Sequence, residues 1–271
     1  LYVVYNDGVH YNGGADNNSS SGNTVASVDV IEFNASTLVE VRRTTLFSAN
    51  VDGKCGRELN VSPDGTHIAV IIAAGDNSDT NELWLLDRAT MAIVDTDAGT
   101  AGDQPVALGS GGDAEYGAWA DDGATFYVGF NSDHYADTTA PATLEAVTVP
   151  GFVVSTLTPT GGGSKSSDLV VHDGRLYYPS RESAPTAYLE IFDLAGGGQT
   201  QPDPAFADVD ASGVVIDPSG TRYYVIDDND VAVFDLATDT RVDTDNDGTN
   251  GVTNVTLPEQ IRAHFMCISP F

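Results

Sequence analysis

The stretch Leu59-Asn-Val-Ser-Pro-Asp-Gly-Thr-His-Ile-Ala-Val70 decides the fold. In Ser-Pro-Asp-Gly, Pro pre-sets φ, Asp bonds its own backbone and Gly accepts a positive φ, so the four residues form a tight turn. Short apolar runs flank it, which makes the whole a β-hairpin. The phrase returns as Ala118-Trp-Ala-Asp-Asp-Gly-Ala-Thr-Phe-Tyr-Val128 and as Leu169-Val-Val-His-Asp-Gly-Arg-Leu-Tyr-Tyr178. It appears again as Val214-Val-Ile-Asp-Pro-Ser-Gly-Thr-Arg-Tyr-Tyr-Val225. A strand-only repeat of about fifty residues is the mark of a β-propeller, one four-stranded antiparallel blade per repeat. The expected class is therefore all-β.

Working outward, each hairpin is followed by a third strand. These read Val28-Asp-Val-Ile-Glu-Phe33, Glu82-Leu-Trp-Leu-Leu-Asp87, Thr143-Leu-Glu-Ala-Val-Thr148, Tyr188-Leu-Glu-Ile-Phe-Asp193 and Asp230-Val-Ala-Val-Phe-Asp235. Each ends in a tight turn, such as Ala237-Thr-Asp239, before a fourth strand such as Thr240-Arg-Val242. Five third strands imply five blade equivalents in one domain, residues 1–271. The chain opens on an expected second strand, Leu1-Tyr-Val-Val-Tyr5, and finishes on an expected first strand, His264-Phe-Met-Cys-Ile-Ser-Pro270. Two readings follow: five blades closed by pairing of these terminal strands, which removes exposed edges, or a piece of a longer propeller.

Composition narrows the partners. Forty acidic residues against 11 Lys and Arg leave a formal charge of −29. Such a surface repels nucleic acid and anionic membranes and favours cations, basic partners and solubility. The acidic residues sit in turns between apolar strands rather than in one block, so the charge is not that of a disordered tail. No run of eighteen apolar residues occurs, which excludes a helical membrane span. Low Lys with abundant Asp, Asn, Thr and Gly suits an extracellular or cell-surface protein, or a periplasmic one.

The segment Tyr223-Tyr-Val-Ile-Asp-Asp-Asn-Asp-Val-Ala-Val-Phe-Asp-Leu-Ala-Thr-Asp-Thr-Arg-Val242 resembles a repeat of the YVTN propeller superfamily. Leu1-Tyr-Val-Val-Tyr-Asn-Asp7 and Ser62-Pro-Asp-Gly65 are similar to the same pattern. That superfamily includes surface-layer-type repeat proteins and lactonase-like proteins, and its members more often have seven blades. The resemblance covers all five units and is strongest in the second and fifth. It implies a blade and names no activity.

Several groups of residues could carry chemistry. Asp243-Thr-Asp-Asn-Asp-Gly248 places Asp243, Asp245 and Asp247 at alternate positions before a Gly, a pattern that lets a loop wrap calcium with oxygen ligands. An EF-hand would have Glu twelfth, where Asn254 stands, so the match is to looser Asp-rich loops; turn formation alone is the competing reading. Val94-Asp-Thr-Asp-Ala98 is a related segment without the third carboxylate. Loops between second and third strands carry Asn6-Asp7, Asp76-Asn-Ser-Asp79, Asn131-Ser-Asp-His134 and Asp227-Asp-Asn-Asp230, as turn formers or as a polar pocket.

Lys54, Arg57, Lys165 and Arg262 all fall at the start of first strands, which line the central channel, with Glu58, Glu115, Asp168 and His264 in similar places. Internal ion pairs are one explanation. A channel mouth that receives a small anion or a partner side chain is the other, with Lys54, Arg57, Lys165, Arg262 and His264 as its contacts. Cys55 and Cys267 make no metal motif; they are either a disulfide that staples closure or two separate thiols. No Gly-x-Ser-x-Gly elbow, phosphate-cradling loop, zinc spacing or haem motif is present. Sequons occur at Asn17, Asn18, Asn34, Asn60 and Asn254, and residues 13–22 read as a polar insertion. The expectation is a non-catalytic binding or assembly module, calcium-stabilised, whose partner is a protein or an extracellular polymer. The alternatives are a metal-assisted lactonase-like hydrolase and an accessory subunit of a larger surface or redox complex.

Overall fold

The computed structural model describes residues 1–7, 24–25, 27–47, 51–52, 54–73, 81–97, 99–100, 102–109, 112–131, 143–159, 165–166, 168–181, 189–202, 211–227, 230–243 and 255–256. Every regular element among them is a strand, and no helix there is long and apolar enough to cross a membrane. The chain forms two compact units, Leu1–Asp137 with Thr143–Leu157, and Thr138–Ala142 with Thr158–Phe271.

In the first unit, β1 (Tyr2–Asp7) precedes the short β2 (Thr24–Val25), then β3 (Ser27–Phe33) and β4 (Glu40–Phe47). The sheet β1-β3-β4 is antiparallel and three-stranded, and β2 pairs with β5 (Val51–Asp52). A complete meander follows: β6 (Cys55–Val61), β7 (His67–Ala73), β8 (Glu82–Asp87) and β9 (Val106–Ala107). The third meander is β10 (Asp113–Trp119), β11 (Thr125–Asn131), β12 (Leu144–Thr148) and β13 (Val154–Leu157). The second unit holds β14 (Lys165–Ser166), then β15 (Val170–His172), β16 (Arg175–Arg181), β17 (Leu189–Asp193) and β18 (Gln199–Thr200) in a fourth meander. The fifth is β19 (Ala211–Ile216), β20 (Arg222–Asp227), β21 (Asp230–Asp235) and β22 (Val255–Thr256). The segment 264–270, expected to pair with Leu1–Tyr5, lies outside the described residues.

Alternation along β7 shows how the meanders stack. Ile68, Val70 and Ile72 pack with Val28, Val30 and Leu46 of the first sheet. Ala69 and Ile71 face the other way, into a cluster with Ala114, Trp119, Phe126 and Val128 of the third. A central strand with both faces buried loses its polar alternation, which is why His67–Ala73 reads as a near-continuous apolar run. In the second unit Tyr177, Leu189 and Ile191 of the fourth meander pack on Val214, Tyr223, Val225 and Phe234 of the fifth.

The turns repeat down to single torsions. At Gly65, Gly123 and Gly220 the N–H donates to the carbonyl of Ser62, Ala120 and Asp217, and φ is +73°, +69° and +66°. Between third and fourth strands, the fifth residue of each turn is left-handed: Leu38 (55°), Met91 (61°), Phe152 (51°), Gly197 (68°) and Asp239 (54°). Its N–H returns to the carbonyl of the first residue, Asn34, Asp87, Thr148, Asp193 or Asp235, at 2.7–3.0 Å. Four of those first residues also accept backbone N–H groups at Oδ1, from Ser36 and Thr37, Thr90, Ala195 and Gly196, and Ala237 and Thr238. One turn solution is used five times.

Candidate functional site

Three of the first strands, β6, β10 and β19, carry bulges at one shared place. In β6 the register slips between Gly56 and Glu58, leaving Arg57 as the extra residue; in β10 it slips between Ala114 and Tyr116, leaving Glu115. The slip in β19 lies between Ala211 and Gly213. A bulge re-aims the side chain it carries. Here it brings Arg57 within 3.4 Å of Asp113 and 4.0 Å of Glu115. Lys54, just ahead of β6, forms an ion pair with Glu82, whose second oxygen accepts from Trp84 Nε1 at 2.9 Å. The structure thus gathers Lys54 and Arg57 at one rim of the first unit, each beside carboxylates.

Deeper in the same strands, carboxylates bind backbone. Glu58 Oε2 accepts from Gly117 N–H at 2.7 Å. Asp168, which holds the same place in the fourth repeat, accepts from Val214 N–H at 3.2 Å and from Leu169 N–H at 2.8 Å. Gly117 and Val214 are themselves equivalent, since they face Val128 and Val225 on the neighbouring strands. A repeated latch therefore ties one first strand to the next within each unit. Asn60 adds a bond to the Gly117 carbonyl at 3.1 Å, and Asn6 makes a two-pronged contact with Gly56 at 2.7 and 3.0 Å. Burial pushes the Asp168 carboxyl up to about 6 against the pull of its two N–H donors. The Cys55 thiol is also pushed up by burial, with the Arg57 charge opposing.

The other expected residues fall in different places. Lys165 starts β14 and is remote in sequence from the first unit's rim. Arg262, His264, Asp245, Asp247 and Cys267 lie outside the described residues. Asp243 ends the described stretch 230–243, which carries β21. No cluster of three metal-binding side chains occurs among the described residues. In the related segment 94–98, Asp95 Oδ1 accepts from Asp97 N–H at 3.0 Å, while Asp97 accepts from the following Gly99 N–H at 3.0 Å and Thr100 Oγ1 at 2.7 Å. Those carboxylates serve the turn. Asn6, Asn131, Asp227 and Asp230 stand in strands rather than in loops, because pairing continues through them. Residues 76–79 and 132–134 lie outside the described residues. The sequon at Asn60 points into the packing between meanders, whereas Asn34 caps a turn.

Sequence reasoning missed Arg175 and Asp239, an ion pair across the fourth and fifth meanders. It also missed Glu145, buried on β12, whose two oxygens accept from Gly109 N–H at 3.1 and 3.0 Å. Burial raises that carboxyl and the Gly109 bond opposes it. Its flanking apolar run Leu144–Val147 is the only sequence signal of its burial.

No family model and no curated protein matches the chain significantly. Solved structures do. A candidate 6-phosphogluconolactonase from Bacteroides fragilis superposes with a TM-score of 0.55 at 13% identity, over 87% of this chain and 66% of that one. Hydrazine synthase from Kuenenia stuttgartiensis gives 0.52 at 16% identity, over 79% and 61%. TolB from Acinetobacter baumannii gives 0.49 at 16%, over 80% and 50%. The fold is of the propeller type. This propeller chain spans between half and two thirds of the length of those three structures.

Proposed function

We propose that this propeller is a non-catalytic binding and assembly module of the cell surface or extracellular space, stabilised by calcium at Asp243, Asp245 and Asp247. The rim of the first unit is the observation that carries the reading. Lys54 and Arg57 spend their charges on Glu82, Asp113 and Glu115, and Glu58 spends its own on the Gly117 N–H. Arg57 and its carboxylate partners stay partly exposed, so a partner of complementary charge can be recognised there by exchange of these ion pairs. The net charge of −29 supports a soluble, salt-exposed setting and a cationic or neutral partner.

One observation favours a second reading, a lactonase-like hydrolase. Asp168 is a carboxyl held up to about 6, the range a general acid or base needs. A panel of simple lactones, assayed with and without calcium, separates the two. The binding reading predicts no hydrolysis above the uncatalysed rate, in the wild type or in Asp168→Asn. Saturable turnover that disappears in Asp168→Asn would establish the hydrolase instead.

A further inference from the structure

The turn between β3 and β4 departs from its own repeat at two residues. In the second, fourth and fifth meanders the turn opens on Asp87, Asp193 and Asp235, and two places on stand Ala89, Ala195 and Ala237. In the first meander the same places hold Asn34 and Ser36, with Ala35 between them. Asn34 does what the aspartates do, since its Oδ1 accepts from the N–H groups of Ser36 and Thr37, both at 3.0 Å. Neither the amide nitrogen nor the serine hydroxyl is needed for that, because Asp-x-Ala builds the same turn elsewhere in the chain. Together the two changes make Asn-x-Ser, the acceptor pattern for N-linked glycans. Residues 34–41 are all exposed, and no described residue accepts a hydrogen bond from Asn34 Nδ2.

We propose that Asn34 is a glycan-attachment site, its Nδ2 receiving the sugar of a lipid-linked oligosaccharide phosphate or pyrophosphate. In the transfer the bond from sugar C1 to the phosphate oxygen breaks, and the departing phosphate keeps the electron pair. Nδ2 bonds C1 and gives up one proton to the transferring enzyme. The inference rests on the extracellular reading above, since such donors serve exported chains. The other sequon among the described residues, Asn60-Val-Ser62, is unsuited to a glycan. Asn60 Nδ2 donates to the Gly117 carbonyl at 3.1 Å, between the second and third meanders, where a sugar has no room. Leu38, Val39 and Val41 supply a reason for a glycan at Asn34. All three are exposed around the start of β4, which among the described residues has a strand neighbour on one side only. An apolar edge of that kind invites unwanted pairing unless it is covered, and a bulky, soluble glycan covers it.

Secretion of the chain from yeast behind a cleavable leader, followed by glycopeptide mass spectrometry, tests this. The host supplies the compartment, so a failure counts against the site and not against the extracellular reading. Two variants keep the turn: Asn34→Asp retains the Oδ1 acceptor, and Ser36→Ala retains the N–H that donates to it. The expected result is a glycan mass on the peptide that contains Asn34, removed by peptide-N-glycosidase with an aspartate left in place. That mass should be absent from both variants, whose circular dichroism should match the deglycosylated wild type, and Asn60 should be unmodified. An unmodified Asn34 in the folded, secreted wild type would overturn the proposal. So would a glycan on Asn60 in its stead, or a glycan mass that neither substitution removes.

Discussion

Asp168 sits at the shared latch position of the first strands, and its environment sets a definite pH dependence. The folded chain holds this proton more tightly than the unfolded chain, in which an Asp titrates at about 3.9. Its contribution to stability is complete below about pH 4, declines as pH rises through 4–6 and is flat above, since Asp168 is raised to about 6. The loss across that window is on the order of 3 kcal/mol. The exposed turn carboxylates act in the opposite sense. Asp64 is lowered to about 2 by its bond from Ser62, and Asp87, Asp97 and Asp235 are lowered by bonds from Thr90, Thr100 and Thr238. Their stabilisation is present above about pH 4 and lost as pH falls below it. Urea unfolding at pH 4, 5, 6 and 7 should therefore show a shallower decline between 4 and 6 in Asp168→Asn; an unchanged profile would remove Asp168 as its cause.

Among elements, the turn between third and fourth strands offers a comparison internal to the chain. Its fifth residue is left-handed in all five repeats, but only Gly197 is free of the Cβ penalty. Leu38 holds the same place and is 66% exposed, so it takes the strain without compensating burial. A left-handed L-residue costs roughly 1–2 kcal/mol, offset in part by the roughly 0.5–1 kcal/mol entropic cost of glycine. Gly197→Leu should lower the thermal midpoint, while Leu38→Gly should leave it level or raise it. Equal losses from both changes would show that the two turns are not equivalent. The strands and these turns were legible because their signal is local: alternation, then Asx, then Gly. Residues whose role depends on pairing across repeats were not. Arg175 and Asp239 are 64 positions apart, and nothing near either one announces the other. The bulge that turns Arg57 toward Asp113 is likewise set by pairing with β7, so the sequence could place Arg57 at the rim but could not choose its partner.

At the scale of the molecule, stacked meanders within each unit stand in for a single core: sheets bury their faces on their neighbours, as Ile68 to Ala73 do on both sides in the first unit. Solved structures named for unlike activities share the fold at 13–16% identity, which is why fold could be read far ahead of activity. The expected calcium loop begins at Asp243, the last described residue before β22, and an ion there would fasten the connection from β21 to β22. Such binding stabilises the folded state by mass action and would make the melting temperature depend on calcium. Calcium titration by calorimetry, paired with thermal melts with and without chelator, tests the proposed module most directly. The prediction is saturable binding that is lost in Asp245→Ala, with a chelator-induced drop in melting temperature that the same substitution abolishes. No heat of binding and identical melts with and without chelator would contradict it, leaving Asp243, Asp245 and Asp247 as turn residues alone.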